Sequence, residues 1–411
     1  MRFTVVTYGS EGDTRPFVAL CRGLMESGHE VRLFAEQSSI HNARTHDVPA
    51  ETLSGDIKAT LPLENPTREL RRADLMDAIK RGLRVVNTST ADWMRAVADD
   101  ARGSDAVLFA GLASLVGQTV AEELNKPAID LWLQPTTPTR EFASPTLRSI
   151  KLPGWLNSLS YRLSPQAIIR RFYGKSINAA RVTVFGHASA GRPRSEFPIL
   201  YGFSRHLVPR PRDWPESHQI CGHWSLSPDD WQPPPDLLDF LAAGPAPIYV
   251  GFGAVSSFLR QKGLKAIAAA IGNRRVLFHP GWSQITAGML PQNFFLLNDT
   301  PHSSLFPLTS MVIHHAGAGT THTAARAGVP SIPLPFGADQ FFWAGRLAAA
   351  GVAPRYVAGS NIDAKALANM IEFAEKDSVR ERARELGAAM AKENGVAKAV
   401  AEIATRIAGM K

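Results

Sequence analysis

The sequence predicts an α/β protein made of two doubly wound, parallel-sheet halves that face each other across a cleft. Three observations carry this reading. A short apolar run, a glycine-containing turn and an amphipathic segment open the chain as a βαβ unit. A second series of buried-strand runs, alternating with alanine-rich helical segments, starts near residue 248. Between them, residues 220–247 are rich in Pro and lose all periodicity, as an interdomain linker does.

The elements follow in order. Phe3–Thr7 reads as the first strand, Tyr8–Asp13 as its turn, Phe17–Ser27 as a helix closed by Gly28, and Val31–Ala35 as the next strand. Further strands are expected at Ala106–Phe109, Pro127–Leu133 and Phe197–Gly202. In the second half they fall near Ile248–Phe252, Arg275–Phe278, Phe294–Leu297 and Met311–Ile313. Arg380–Met410 has an amphipathic pattern and reads as helix. The expected division is 1–219, a linker at 220–247, 248–390, and a C-terminal helix at 391–411 placed to pack back on the first domain.

At 411 residues the chain exceeds one hydrophobic core. Its two cysteines, Cys21 and Cys221, offer neither a disulfide framework nor metal-ligand spacing, which fits a reducing cytoplasm. No apolar run approaches a membrane span. The net charge of +8 is concentrated: residues 140–212 hold 13 Lys/Arg against Glu141 and Glu196. No nucleic-acid recognition motif accompanies this charge. A solvated face of Arg-rich helices accounts for it, and so does peripheral contact with an anionic membrane.

Residues 314–340, HHAGAGTTHTAARAGVPSIPLPFGADQ, say the most about function. A strand ends, Gly317 and Gly319 make a tight turn, and Thr320-Thr321 opens a helix that stops at Gly328-Val329-Pro330. A second apolar run, Ser331–Pro335, leads to Asp339-Gln340. A helix N-terminus offers free N–H groups and a positive dipole end, and glycines let a phosphate come close.

The chain resembles the family 1 glycosyltransferases of GT-B fold, within their bacterial antibiotic-aglycone and sterol glucosyltransferase branch. The resemblance runs through YGSEGDTRPFVAL, LQPTTPTREF, LPGWLNSLSYRL, IYVGFGAV, GWS, PHSSLFP and the 314–346 segment. It implies two Rossmann-like domains and transfer of a hexose, from UDP-glucose, to the hydroxyl of a lipophilic acceptor such as a sterol or polyketide. It further implies inversion at the anomeric carbon and no cofactor or metal; the chain has no Asp-x-Asp pair.

Carried onto this sequence, the resemblance makes Asp13, in Gly12-Asp13-x-x-Pro16, the general base that draws a proton from the acceptor. The alternative for Asp13 is a turn or N-cap aspartate. No acid stands at Phe109-Ala110-Gly111 to support it. The diphosphate falls to His315, Gly317, Gly319, Thr320, Thr321 and Gly253, and the donor sugar to Asp339 and Gln340. Where many relatives carry a serine after the Gly251–Gly253 turn, Ala254 stands here, shifting that contact to Ser256 or Ser257. Trp282, Ser283, Leu297 and His302 mark the nucleoside. Ser10, Phe17, Trp93, Trp132, Phe142 and Trp155 are acceptor-side candidates, although aromatic residues are more often core. His314 reads as structural, and His322 has no assigned role.

Two other functions share this layout. A sugar-nucleotide epimerase would have the same two-domain shape. A nicotinamide-dependent oxidoreductase would use Gly317-x-Gly319 with Asp339 as a dinucleotide fingerprint, but His322 occupies the third glycine position.

Overall fold

The structure, a computed structural model, describes residues 1–56, 72–147, 152–163, 165–188, 197–226, 231–258, 261–283 and 285–410. Strands β1 (Arg2–Val6), β2 (Glu30–Glu36), β3 (Ala50–Leu53), β4 (Ala106–Ala110), β5 (Ala128–Trp132), β6 (Ile199–Tyr201) and β7 (His218–Ile220) form one parallel sheet, ordered β3-β2-β1-β4-β5-β6-β7. Strands β8 (Ile248–Gly251), β9 (Val276–His279), β10 (Phe294–Leu296), β11 (Met311–His314) and β12 (Ser331–Pro333) form a second, ordered β10-β9-β8-β11-β12. Central strands such as β4, AVLFA, are buried throughout because helices cover both sheet faces.

The helices are α1 (Glu11–Glu26), α2 (Ile40–Thr45), α3 (Arg72–Ala101), α4 (Ser114–Glu123), α5 (Gly154–Ser160), α6 (Pro165–Phe185), α7 (Pro235–Ala242), α8 (Gln261–Ile271), α9 (His302–Leu305), α10 (Ala318–Arg326), α11 (Gln340–Ala349), α12 (Ala364–Glu375), α13 (Asp377–Ala391) and α14 (Gly395–Met410).

The order of each sheet reverses once, between β1 and β4 and between β8 and β11. Ligands in open α/β sheets bind at the carboxyl ends of strands beside such a reversal. In the first sheet that position holds the Gly9–Asp13 segment, and in the second Gly251–Gly253 and His314–Gly319. The two motifs of the sequence therefore occupy equivalent places in the two domains.

Several elements differ from expectation. Helix α1 begins at Glu11, six residues early, because Ser10 and Asp13 form a capping box that starts the helix ahead of Pro16. Pro16 lies inside the helix and removes one backbone donor. Strands β3 and β7 are short and partly polar, so periodicity does not mark them. The Pro-rich linker contains α7, with proline at its start, where the lost N–H costs nothing. The C-terminal stretch is two helices. The chain breaks between them at 392–394, and Asn394 caps the second through its bond from the Ala397 N–H at 3.0 Å.

The core of the first sheet includes residues from α14. Ala399, Val400, Ile403 and Ile407 pack with Phe17, Leu20, Cys21 and Leu24 of α1. Gly23 permits the close approach, since a Cβ there would fall 2.3 Å from a Val396 methyl. A separate apolar cluster joins the domains, with Tyr201, Phe203 and Trp214 on one side and Phe342 and Trp343 on the other.

Candidate active site

Asp13 sits at the third position of α1. Its Oδ2 accepts from the Ser10 N–H at 2.9 Å and the Ser10 hydroxyl at 3.0 Å. The carboxylate folds over Gly9, where a Cβ would lie 2.5 Å from Oδ2. It is exposed to solvent, yet the surrounding protein partly desolvates it. That desolvation raises its pKa, while the Ser10 bonds pull it down. A carboxyl raised in this way is a stronger proton acceptor than an aspartate of ordinary pKa.

The second motif turns through Ala316, which adopts φ +63, a left-handed conformation uncommon for a residue with a side chain. The His315 ring lies against two glycines. A Cβ on Gly317 would fall 2.4 Å from its Nε2, and one on Gly253 would fall 3.5 Å from its Cε1. Gly317 is the N-cap of α10. The Thr321 N–H already bonds the Gly317 carbonyl at 2.9 Å, so the free donors are the N–H groups of residues 318–320. Beside Gly319 there is open space. Several buried polar atoms around this turn have no hydrogen-bond partner in the protein: Ser256 Oγ, His314 Nε2, His315 Nδ1 and Thr321 Oγ1. Unpaired buried groups are costly unless a ligand satisfies them. Burial holds His315 and His314 neutral, with pKa values lowered to about 4 and about 3.

Asp339 precedes α11 and accepts from the Trp343 indole N–H at 2.8 Å. Its pKa is raised to about 6, chiefly by burial; the indole bond works against this and the charge of Asp13 adds to it. The two carboxylates thus face the same space from opposite domains, and α1 touches α10 beside them. Gln340 is largely buried. Its Oε1 accepts from the N–H groups of Phe336 at 2.7 Å and Gly337 at 3.1 Å, which leaves its amide N–H₂ to donate.

The remaining expectations divide. His302 is joined to Tyr249, Oη to Nε2 at 2.8 Å, and stacks on Phe306 at 4.7 Å. Trp282 is half-buried, and its backbone N–H reaches the Gly253 carbonyl at 3.3 Å. The Ser283 hydroxyl is committed to the Pro280 carbonyl at 2.6 Å. Leu297 is core. The Ser257 side chain lies outside the described residues.

On the acceptor side, Phe17 and Trp93 are sealed in the core, Phe17 against Trp224 and Trp93 against Tyr8. Neither lines a pocket, because each completes helix-on-sheet packing. Phe142 packs on Phe342 of the second domain, 5.4 Å between rings, so it belongs to the domain interface. Trp132 is half-buried beside the same cluster. Trp155 stands on α5, 66% exposed. Ser10 lies next to Asp13.

Some residues of the cleft carry no sequence signal of their own. Arg15 of α1 reaches Asp299 of the second domain at 3.3 Å. His322, which the dinucleotide fingerprint would replace by glycine, is an interdomain contact. The Ser204 N–H donates to its Nε2 at 3.1 Å, and its Nδ1 lies 2.7 Å from the Ala318 carbonyl.

Two parallel-sheet domains with glycine turns at both reversal points define the GT-B architecture. Residues 3–142 match the glycosyltransferase family 28 N-terminal domain. Residues 268–410 match the erythromycin biosynthesis protein CIII-like C-terminal domain. The O-mycaminosyltylonolide 6-deoxyallosyltransferase of Streptomyces fradiae is 34% identical over 421 residues, covering 97% of this chain and 96% of that protein. A sterol 3-beta-glucosyltransferase of Arabidopsis thaliana is 29% identical over 426 residues, covering 97% of this chain and 67% of that protein. Among solved structures, the glycotransferase of kitacinnamycin aligns with a TM-score of 0.71 at 17% identity over 99% of both chains. VinC in complex with dTDP aligns with a TM-score of 0.66 at 16% identity over 100% of both. The chain belongs to this glycosyltransferase family and is a sugar-transferring enzyme.

Proposed function

We propose that the enzyme moves a hexose from a nucleoside diphosphate sugar, UDP-glucose in the first instance, to a hydroxyl of a lipophilic acceptor, with inversion. The acceptor class follows the relatives, one named for a macrolide and one for sterols. In this reading Asp13 takes the acceptor proton as the oxygen attacks the anomeric carbon. The 318–320 N–H groups and His315 receive the diphosphate, whose charge grows as the bond to the sugar breaks. Asp339 and the Gln340 amide hold sugar hydroxyls. Trp282 and His302 lie towards the nucleoside. The observation that carries the proposal is that Asp13, at the first domain's reversal point, and Asp339, in the turn after β12 of the second domain, lie close enough for their charges to act on one another.

Thermal-shift titration with UDP, dTDP, NAD and NADP tests the donor, since a ligand of the native state raises its stability. Stabilisation by NAD alone would overturn the transferase reading. Asp13→Asn should keep nucleotide binding and lose most turnover; transfer at the wild-type rate would place the base elsewhere.

A membrane-side acceptor is part of the same proposal. Trp155, Leu159 and Leu163 stand exposed at four-residue spacing within the basic 140–212 segment, and among the described residues no helix is long and apolar enough to cross a membrane. Cosedimentation with anionic vesicles should fall in Trp155→Ala; no binding by the wild type removes this part.

A further inference from the structure

The diphosphate of a donor carries at least two negative charges, and the turn that would receive it offers dipoles but no full positive charge. His314 and His315 are neutral. His279 and His302, which stand 5.9 Å apart nearby, are also held neutral, first by burial. A guanidinium reaches this group from the other domain. Arg15 lies on the first turns of α1, which packs against α10, and its charge acts on Tyr249, His279 and His302. In the present arrangement Arg15 is held by two carboxylates: Asp299 at 3.3 Å, just beyond β10, and Glu11 at 3.4 Å on its own helix. Both partners are exposed enough for water to compete, so neither pair is strong. The Nε–H of Arg15 is buried and has no partner in the protein. A donor group placed at the cleft, weakly held and with one N–H to spare, is suited to exchange a carboxylate for a phosphate, which matches its planar fork better.

We propose that Arg15 is a cross-domain anchor for the donor's diphosphate, and that Asp299 holds it in reserve and is displaced when the nucleotide enters. The proposal rests on the nucleotide-sugar reading above. It makes donor affinity depend on both domains at once: the second supplies backbone donors and the first supplies charge. Asp299 then acts as a competitor, and removing its charge should favour the nucleotide.

The test is calorimetric titration of UDP and of uridine into the full-length wild type, Arg15→Gln, Arg15→Lys and Asp299→Asn. Arg15→Gln should weaken UDP about tenfold or more while leaving uridine within about twofold, since one charge-assisted contact to the phosphates is lost. Arg15→Lys should recover part of the loss. Asp299→Asn, a surface change with little effect on folding, should tighten UDP severalfold, and more at low salt. Equal UDP binding by wild type and Arg15→Gln overturns the anchor, as does equal weakening of UDP and uridine, or looser binding by Asp299→Asn. Failure of the wild type to bind UDP or dTDP overturns the donor reading itself, an outcome separable from the others.

Discussion

The backbone N–H of Ser204, in the first domain, donates to Nε2 of His322, in the second, at 3.1 Å. Nδ1 of the same ring lies 2.7 Å from the Ala318 carbonyl. The ring must therefore carry its proton on Nδ1 and present a lone pair at Nε2, so it serves as a neutral bridge. His223 stacks on it at 5.0 Å, and Trp343 meets its edge. In His322→Leu the Ser204 N–H is left buried and unpaired, which costs about 1–3 kcal/mol. We expect a lower melting temperature and a looser relation between the domains. A variant that melts like the wild type by calorimetry would show that the bridge contributes nothing.

Acid should destabilise the fold. His314, His315 and His322 have pKa values lowered to about 3, about 4 and about 4, each chiefly by burial. In an unfolded chain they titrate near ~6.5. Between those limits the unfolded chain binds more protons, so stability falls as pH falls from about 6.5 towards 4. Asp339 opposes this. Its pKa, raised to about 6 first by burial, makes the native state bind more protons between the ordinary aspartate value and 6. Three histidines with larger shifts outweigh it. Melting curves should show a drop between pH 7 and pH 5, and a constant or rising midpoint would contradict the assignment.

Trp343→Phe should change the pH profile of donor use. The indole N–H lowers the pKa of Asp339, so its loss moves that pKa upward from about 6. If ionised Asp339 accepts from the sugar, the acid limb of kcat/KM shifts to higher pH in the variant. An unmoved limb would mean that Asp339 does not titrate in that step.

Gly317 and Gly319, two glycines of the same turn, should behave differently. Gly319 is helical and faces open space, so Gly319→Ala should keep or slightly raise stability, by about 0.5–1 kcal/mol. It should weaken nucleoside diphosphate binding, because the methyl occupies the approach to the N–H groups. Gly317→Ala would press into His315 Nε2 at 2.4 Å and must displace the ring. It should lose both stability and binding. Thermal melts with and without UDP separate the two outcomes, and equal behaviour would refute the geometry.

Both reversal-point motifs were legible because glycines, a strand end and a polar residue coincide there, and the parallel order followed from βαβ spacing. The start of α1 is less legible: the pattern reads as helix from Phe17, whereas Ser10 and Asp13 cap each other and start it at Glu11. The aromatic acceptor candidates show a different limit. Phe17 and Trp93 look the same in sequence whether they line a pocket or fill a core, and only packing decides. His322 had no local signal, since its partner Ser204 is 118 residues away. Arg15 lay inside a recognised motif, but its significance depends on Asp299, which another domain supplies.

Helix α14 lies in the core of the first domain, although the whole second domain is made before it. The order of synthesis and the order of completion therefore differ. The first domain leaves the ribosome with the α1 face of Phe17, Leu20 and Leu24 uncovered, and it stays so until residues 395–410 arrive. Over that interval the nascent chain carries an apolar groove that calls for shielding. Any product that stops short of α14 keeps the groove permanently, so a lost C-terminal helix would appear as aggregation of the N-terminal domain, far from the cut.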